Sequence, residues 1–456
     1  MKQRERLSSR LGFILLSAGC AIGLGNVWKF PFITGRYGGA IFVLIYLVFL
    51  VIFGIPIMSM EFAVGRASRK SVSTAFHELE PKGSKWHVFS WAAMAGNYLI
   101  MMFYTTVSGW ILAYLVYTAQ GKFVGLSTDE VAGVFGTLTE SAGSSVIWMI
   151  LICLLGFVIC AIGLQKGVEF ITKIMMSAMI VVLVVLTVRS VTLPGAIAGF
   201  EFFLKPSLEP IREYGLWTVV YAAMGQAFFT LSVGIGSMTI FGSYIDRDRR
   251  LTGEAINITI LDTAVALLSG LIVFPACFAF GVSADAGPPL IFITLPNIFN
   301  AMAGGRIWGS LFFVFLLFAA LSTVVAVFEN IVAFARDKTG CSRRKACAVN
   351  AVILIVLSLP CALGFNIWRG VKPFGEGSNI LDLEDFIVSH NLLPLGALIF
   401  LLFCVTRYGW KWENFIAEVD AGKGKKFPAI LKPYFIFGLP LILLVFYAFG
   451  IINFFT

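Results

Sequence analysis

The run Gly19-Cys20-Ala21-Ile22-Gly23-Leu24-Gly25-Asn26 decides how the fold is read. It sits in the middle of an apolar stretch, 11-34, long enough for a helix to cross ~30 Å of hydrocarbon. Yet three glycines and an asparagine within eight residues make a poor helix interior. A second such run, Thr230-Leu231-Ser232-Val233-Gly234-Ile235-Gly236, interrupts the stretch 216-244. Working outward, further apolar stretches lie at 40-65, 88-119, 146-164, 168-191, 252-281, 307-336, 346-365, 381-405 and 431-454. The fold class expected is an all-α polytopic membrane protein of about eleven transmembrane helices, the first and sixth unwound at mid-membrane.

Composition agrees. Of 456 residues, 59% are hydrophobic and 13% charged, with mean hydropathy +0.90, whereas a soluble domain is about a quarter charged. Apolar runs of this length also exclude a β-barrel, whose strands alternate. The formal charge of +9 is expected in loops facing an anionic leaflet, so no nucleic-acid partner is implied. With the N-terminus cytoplasmic, the inner segments 1-10, 66-85, 166-173, 247-250, 336-345 and 407-432 hold 25 Lys and Arg, and the outer segments hold 8. By the positive-inside rule the chain is a multi-pass protein of the plasma (inner) membrane. An odd span count then leaves the C-terminus extracellular or periplasmic. No cleavable signal peptide is visible.

Six of the eight cysteines lie in apolar segments and read as small buried hydrophobes. The histidines, His77, His87 and His390, are too few and too far apart to prescribe a metal site. No organic cofactor is expected.

No linker divides the chain, so 1-456 reads as a single transmembrane transporter domain. The two interrupted spans stand five helices apart. An odd repeat length forces inverted topology, so the chain divides into inverted 5+5 repeats at approximately 11-191 and 216-405, plus an additional helix 431-454. Paired breaks of this kind point to a transporter site between the halves. Unwinding exposes peptide groups that cost several kcal/mol each unless something replaces their partners. Carbonyls freed in this way ligate sodium or an ammonium, and a half-helix N-terminus receives a carboxylate. The competing reading makes Gly19-x-x-x-Gly23 a helix-packing face. Against it stands the cluster of intramembrane polar residues: Asn26, Glu61, Tyr104, Gln226, Thr230, Asp262, Ser322, Thr323 and Glu329. An aspartate at depth costs ~3 kcal/mol unless compensated, which singles out Asp262.

Several ordered motifs carry a resemblance: Arg10-Leu11-Gly12-Phe13, Gly23-Leu24-Gly25-Asn26-Val27-Trp28-Lys29-Phe30-Pro31, Gly38-Gly39-Ala40, Gly54-Ile55-Pro56 with Glu61, Gly225-Gln226-Ala227-Phe228-Phe229-Thr230-Leu231-Ser232 and Ile293-Thr294-Leu295-Pro296. The chain resembles the neurotransmitter:sodium symporter family, most of all its bacterial amino-acid branch of leucine-transporter-like carriers. The resemblance implies two sodium sites. The first would use Ala21, Asn26, Thr230, Asp262 and the substrate carboxylate. The second would use carbonyls of Gly19, Ile22 and Ala319 with the hydroxyls of Ser322 and Thr323. The substrate carboxylate would meet Leu24, Gly25 and Tyr104, and its ammonium Ala21, Phe229, Thr230 and Ser232. The side-chain pocket would be lined by Ile100, Tyr104, Phe229, Ile235, Ala326 and Val327.

Gly23 stands where the family's monoamine carriers have aspartate, which implies a substrate bringing its own carboxylate. The function implied is sodium-coupled import of hydrophobic amino acids by alternating access, with two sodium ions per substrate. Asp262, followed one turn later by Ala266, implies chloride independence, because a fixed carboxylate replaces the anion. A weaker implication is that Asp262 takes up a proton when the carrier returns empty. Gates are implied at Lys29 with Asp385 on the outside, and at Arg4 with Asp337 near Tyr244 on the inside. Lys29 stands where arginine is usual, Leu7 replaces a common tryptophan, and eleven spans replace the usual twelve, which leaves the protein a monomer or dimer. The alternative is a proton-coupled amino-acid permease of the same architecture, which does not need the hydroxyl pair Ser322-Thr323. An enzyme is disfavoured, since no histidine lies centrally in a span to serve a nucleophile.

Overall fold

In the computed structural model, residues 5–282 and 290–455 are described. All the regular elements among them are helices: α1 Arg10–Ala21, α2 Gly25–Tyr37, α3 Ala40–Ser68, α4 Val72–Leu79, α5 Trp86–Gln120, α6 Thr128–Glu140, α7 Ala142–Ile162, α8 Leu164–Val191, α9 Ala196–Leu204, α10 Glu209–Tyr214, α11 Leu216–Thr230, α12 Ser237–Ser243, α13 Leu251–Ala279, α14 Leu290–Ala301, α15 Gly305–Thr339, α16 Arg343–Leu363, α17 Ile380–Val405, α18 Trp412–Val419 and α19 Tyr434–Phe455. Nine of these (α3, α5, α7, α8, α13, α15, α16, α17 and α19) are long and apolar enough to cross a bilayer, and α1 with α2 form a tenth candidate bent by 54°. The sixth expected span is divided into α11 and α12 by turn residues 231-236.

Prolines shape five of the helices in one way. A π turn ends at Lys29, Gly54, Thr294, Leu392 and Gly438, each two residues before a proline: Pro31, Pro56, Pro296, Pro394 and Pro440. Proline lacks an N–H and its ring crowds the carbonyl one turn back, so the ladder widens locally into a π bulge.

The helices sort by depth. In α15 83% of the most apolar window is buried within the protein, against 33% in α8 and α19. The peripheral helices turn branched aliphatic residues outward, such as Val181, Val184 and Val188 of α8 and Val352 and Val356 of α16. These surfaces suit lipid rather than water. The buried middle holds both helix interruptions, at 22-24 and 231-236, flanked by α5, α13 and α15.

Candidate functional site

The two interruptions are joined to each other and to α13 through side chains. Asn26 is fully buried; its amide nitrogen donates to the Asp262 carbonyl (3.1 Å) and to Asp262 Oδ1 (2.8 Å). Its own Oδ1 accepts from the Gly23 N–H at 3.1 Å. The Thr230 hydroxyl donates to Asp262 Oδ2 at 3.0 Å. Directly across the gap, the Ser232 hydroxyl donates to the Cys20 carbonyl (3.1 Å) and Gln226 Nε2 to the Gly25 carbonyl (2.8 Å). Ser232 reaches that position with φ +51°, a left-handed conformation that costs a non-glycine residue about 1 kcal/mol or more.

Asp262 is wholly buried. Its side-chain partners are a neutral amide and a neutral hydroxyl, and none of the ion pairs among the described residues involves it. An uncompensated buried carboxylate is costly. Its own two oxygens and the Thr230 hydroxyl are the kind of ligands that suit a hard alkali cation, with the Asn26 side chain beside them.

A second group of oxygens converges on α15. The Thr323 hydroxyl lies 3.1 Å from both the Gly19 and Ile22 carbonyls and 3.3 Å from that of Ala319. The Ser322 hydroxyl bonds to the Ala319 carbonyl at 2.9 Å. Thus carbonyls from the end of α1 face the hydroxyl of Thr323, one helix away. If these oxygens hold sodium, as the resemblance implies, removing the hydroxyl in Thr323→Ala is expected to raise the sodium concentration for half-maximal uptake about tenfold, or ~1.4 kcal/mol, measured by sodium titration of uptake.

Tyr104 stands over the first interruption and its hydroxyl accepts from the Leu24 N–H at 3.0 Å. A Cβ placed on Gly23 would come within 2.3 Å of that hydroxyl and 2.6 Å of Thr323 Oγ1. Beyond Tyr104 opens a cavity of about 240 Å³, bounded by Leu24, Trp28, Phe103, Tyr104 and Phe229 and closed over by Lys29 and Asp385. Lys29 Nζ lies 3.8 Å from Asp385 Oδ2 and 4.1 Å from the centre of the Phe229 ring. Ile100, Ile235, Ala326 and Val327 are buried in the packed interior, and so are Ala21 and Gly25; none of the six lines this cavity.

Some of the organising residues lay outside the sequence-based site. Glu61 of α3 takes up the free N–H groups of the second interruption, from Gly234 (2.5 Å) and Met238 (3.1 Å). Gly234 (φ +107°) needs its missing side chain there, since a Cβ would lie 2.2 Å from the Leu393 carbonyl. Asn97 of α5 donates to the Ile235 carbonyl (3.0 Å) and is held by Asn330 of α15 (2.8 Å). Their signal in the sequence was polarity inside apolar runs, which announces a partner without naming it.

The opposite end of the bundle is closed by a chain of charges. The Tyr244 hydroxyl donates to Glu329 Oε1 (2.6 Å), Arg343 binds Glu329 (2.6 Å), and Glu5 bridges Arg343 (2.6 Å) and Arg336 (3.2 Å). Burial alone would push the Glu5 carboxyl up, but Arg343 and Arg336 hold it below the ordinary carboxylate range. Of the gate residues expected here, Asp337 accepts from the Ser71 N–H at 2.8 Å, while Arg4 lies outside the described residues. Glu329 is fully buried, so Arg343→Met, which strands it, is expected to lower stability by about 3 kcal/mol, read as a fall in Tm in detergent.

The chain is similar along its whole length to known transporters. The sodium-dependent transporter YhdH of Bacillus subtilis is 32% identical over 98% of both chains, and the sodium- and chloride-dependent GABA transporter 2 of Rattus norvegicus is 25% identical over 99% of this chain and 81% of that one. The crystal structure of MhsT in complex with L-phenylalanine superposes with a TM-score of 0.87 at 38% identity, covering 99% of each chain. The model of the sodium:neurotransmitter symporter family matches residues 4–127 and 130–456. Two interrupted helices around a buried carboxylate are thus set in a scaffold shared with sodium-dependent carriers, and the chain belongs to the sodium:neurotransmitter symporter family.

Proposed function

We propose that the protein carries hydrophobic α-amino acids across the membrane by alternating access, coupled to two sodium ions and independent of chloride. The observation that carries this reading is Asp262, a buried carboxylate beside the broken first span and without a cationic partner among the described residues. Sodium supplies the missing charge, shared in this first site by a substrate carboxylate held at Leu24 and Tyr104, while a second alkali ion sits among the Gly19, Ile22 and Ala319 carbonyls and the Ser322 and Thr323 hydroxyls. Space supports an amino acid over an amine. At Gly23 nothing larger than hydrogen fits beneath Tyr104, so the carboxyl group has to come with the substrate. Most of the cavity wall is apolar, from Leu24, Trp28, Phe32, Phe103, Val107, Phe229 and Leu381, with the charged Lys29, Asp382 and Asp385 also in its lining, and the similar protein MhsT was crystallised with L-phenylalanine.

A fixed carboxylate at Asp262 makes a mobile anion unnecessary, which is the basis for chloride independence. In this reading 1-456 is one domain whose halves, 11-191 and 216-405, are inverted repeats. The Tyr244 end faces the cytoplasm because most Lys and Arg lie on that side, and the C-terminus emerges outside. Residues Lys29 and Asp385 close the outer path, and the Glu5–Arg343–Glu329–Tyr244 chain closes the inner one. Two charges entering with a neutral zwitterion are worth about 4.6 kcal/mol at 100 mV, roughly three decades of accumulation.

The test is uptake into liposomes of radiolabelled leucine and phenylalanine under imposed sodium, choline and chloride-free gluconate conditions. Accumulation is expected with sodium, with or without chloride. Accumulation undiminished in choline would instead establish the proton-coupled permease, and collapse in gluconate would refute chloride independence.

A further inference from the structure

Two histidines ten residues apart in the sequence, His77 and His87, come together where the chain leaves α4 and enters α5. A turn at Pro81–Ser84, closed by the Ser84 N–H on the Pro81 carbonyl (3.1 Å) and using Gly83 at φ +83°, folds the second histidine back on the first. Both imidazoles then aim at one carboxylate oxygen. His87 Nδ1 lies 2.5 Å and His77 Nδ1 3.3 Å from Glu80 Oε1, and a ligand atom from each of the three residues falls within 4.8 Å of the others. The other oxygen of Glu80 is occupied: Oε2 accepts from the Ser84 hydroxyl (2.8 Å) and the His87 N–H (3.2 Å). That pair of bonds fixes the carboxylate while leaving Oε1 to the imidazoles, the kind of outer support that orients a metal ligand.

Exposure matches the role. The Glu80 side chain is 7% exposed, but those of His87 and His77 are 42% and 73% exposed, so an ion enters from water onto an anchored oxygen. Two imidazoles and a carboxylate are a ligand set for zinc and its neighbours, with water completing the shell; magnesium and calcium prefer oxygen alone.

The site lies at the end of a helix whose other end touches the transport machinery. The Ser71 N–H binds Asp337 (2.8 Å), and Val72 is packed so tightly beneath the second interruption that a Cβ on Gly236 would come within 2.6 Å of its Cβ. The helix between, Val72–Leu79, is about 12 Å long at 1.5 Å per residue. It acts as a short rigid strut.

We propose that His77, Glu80 and His87 bind a divalent metal ion of the zinc type, and that the bound ion clamps α4 to the foot of α5 and slows opening of the face that carries Tyr244. The binding site stands on geometry alone; the clamp rests on the transport reading above.

The probe is Zn2+ itself. Calorimetric titration of tag-free protein at neutral pH is expected to show one saturable site, weakened at least tenfold in His77→Ala and in His87→Ala, the loss typical even of an outer-shell partner. His390→Ala, distant in the fold, is expected to bind as the parent does. Equal binding by the parent and the His77→Ala/His87→Ala double variant would overturn the site. For the clamp, Zn2+ is sealed inside liposomes and compared with a chelator. Slower sodium-driven uptake is expected in the parent and no change in His77→Ala; equal slowing of both, or of neither, would overturn the clamp. Because calorimetry needs no transport, a failure of the symport reading leaves the binding result readable on its own.

Discussion

Asp262→Asn is expected to raise the sodium concentration that half-saturates uptake by two orders of magnitude or more. The carboxylate is fully buried and its side-chain hydrogen bonds come from Asn26 and Thr230, both neutral. Asparagine keeps the shape and one acceptor but removes the charge. Unit charges 4 Å apart at an effective dielectric near 20 interact by ~4 kcal/mol, almost three decades of affinity. Relaxation of the surrounding oxygens recovers part of this, which leaves about a hundredfold. Because the parent carries its own anion, its uptake is expected to be indifferent to replacing chloride by gluconate. In Asp262→Asn chloride is expected to restore sodium affinity in part, since a mobile anion then supplies what the side chain lost. Sodium titrations of uptake with both anions measure these effects together, and an unchanged half-saturation in the variant would remove Asp262 from the sodium site.

The second large effect is expected at Gly23. Adding one methyl group in Gly23→Ala places a carbon 2.3 Å from the Tyr104 hydroxyl and 2.6 Å from that of Thr323, and neither can stay where it is. Tyr104 is 2% exposed and bonded to the Leu24 N–H at 3.0 Å, so its displacement opens the substrate carboxylate position and disturbs the second oxygen group at once. Binding of a hydrophobic amino acid is expected to weaken about a hundredfold, in line with the ~1–3 kcal/mol of an overpacked interior added to a lost hydrogen bond of ~1 kcal/mol. Tyr104→Phe removes the hydroxyl without inserting anything and is expected to cost about tenfold. The double variant separates the causes. If the clash is the origin, Gly23→Ala in the Tyr104→Phe background costs much less than it does alone. Full additivity, measured by equilibrium binding of labelled phenylalanine, would show that the two residues do not meet as described.

The spans were legible because their signal is local. A run of apolar residues long enough for a bilayer has one regular solution, a helix, and the long apolar helices start and stop within a few residues of the expected stretches, whereas the shorter α4, α6, α9, α10, α14 and α18 between them were not expected. Glycine clusters at 19-25 and 234-236 marked both interruptions for a similar reason, since glycine is where a helix in lipid gives way. Glu61 was legible as a polar residue out of place, but its partner was not: it binds a peptide nitrogen 173 positions away, and Asn97 and Asn330, polar in apolar runs too, were not singled out. Glu329 and Tyr244 were named, but their link to Arg343 and Glu5 was not legible because these residues lie in different loops and helices. His77 and His87 were not legible as neighbours. Their spacing matched no metal pattern, and only the turn at Pro81–Ser84 brings them onto the same oxygen of Glu80.

What the sequence alone determined is therefore whatever depends on neighbours along the chain: where helices run and where they give way. The small residue at position 23 belongs here too, since its lack of a side chain needs no fold to be known. Tertiary structure decided which oxygens share a space. Asn26, Thr230 and Asp262 meet, and Gly19, Ile22, Ala319 and Thr323 meet, because α13 and α15 pack across the two gaps. Hydropathy has a sign and a length but no direction, so it carries each polar group into the interior without choosing its partner; close packing of rigid helices makes that choice.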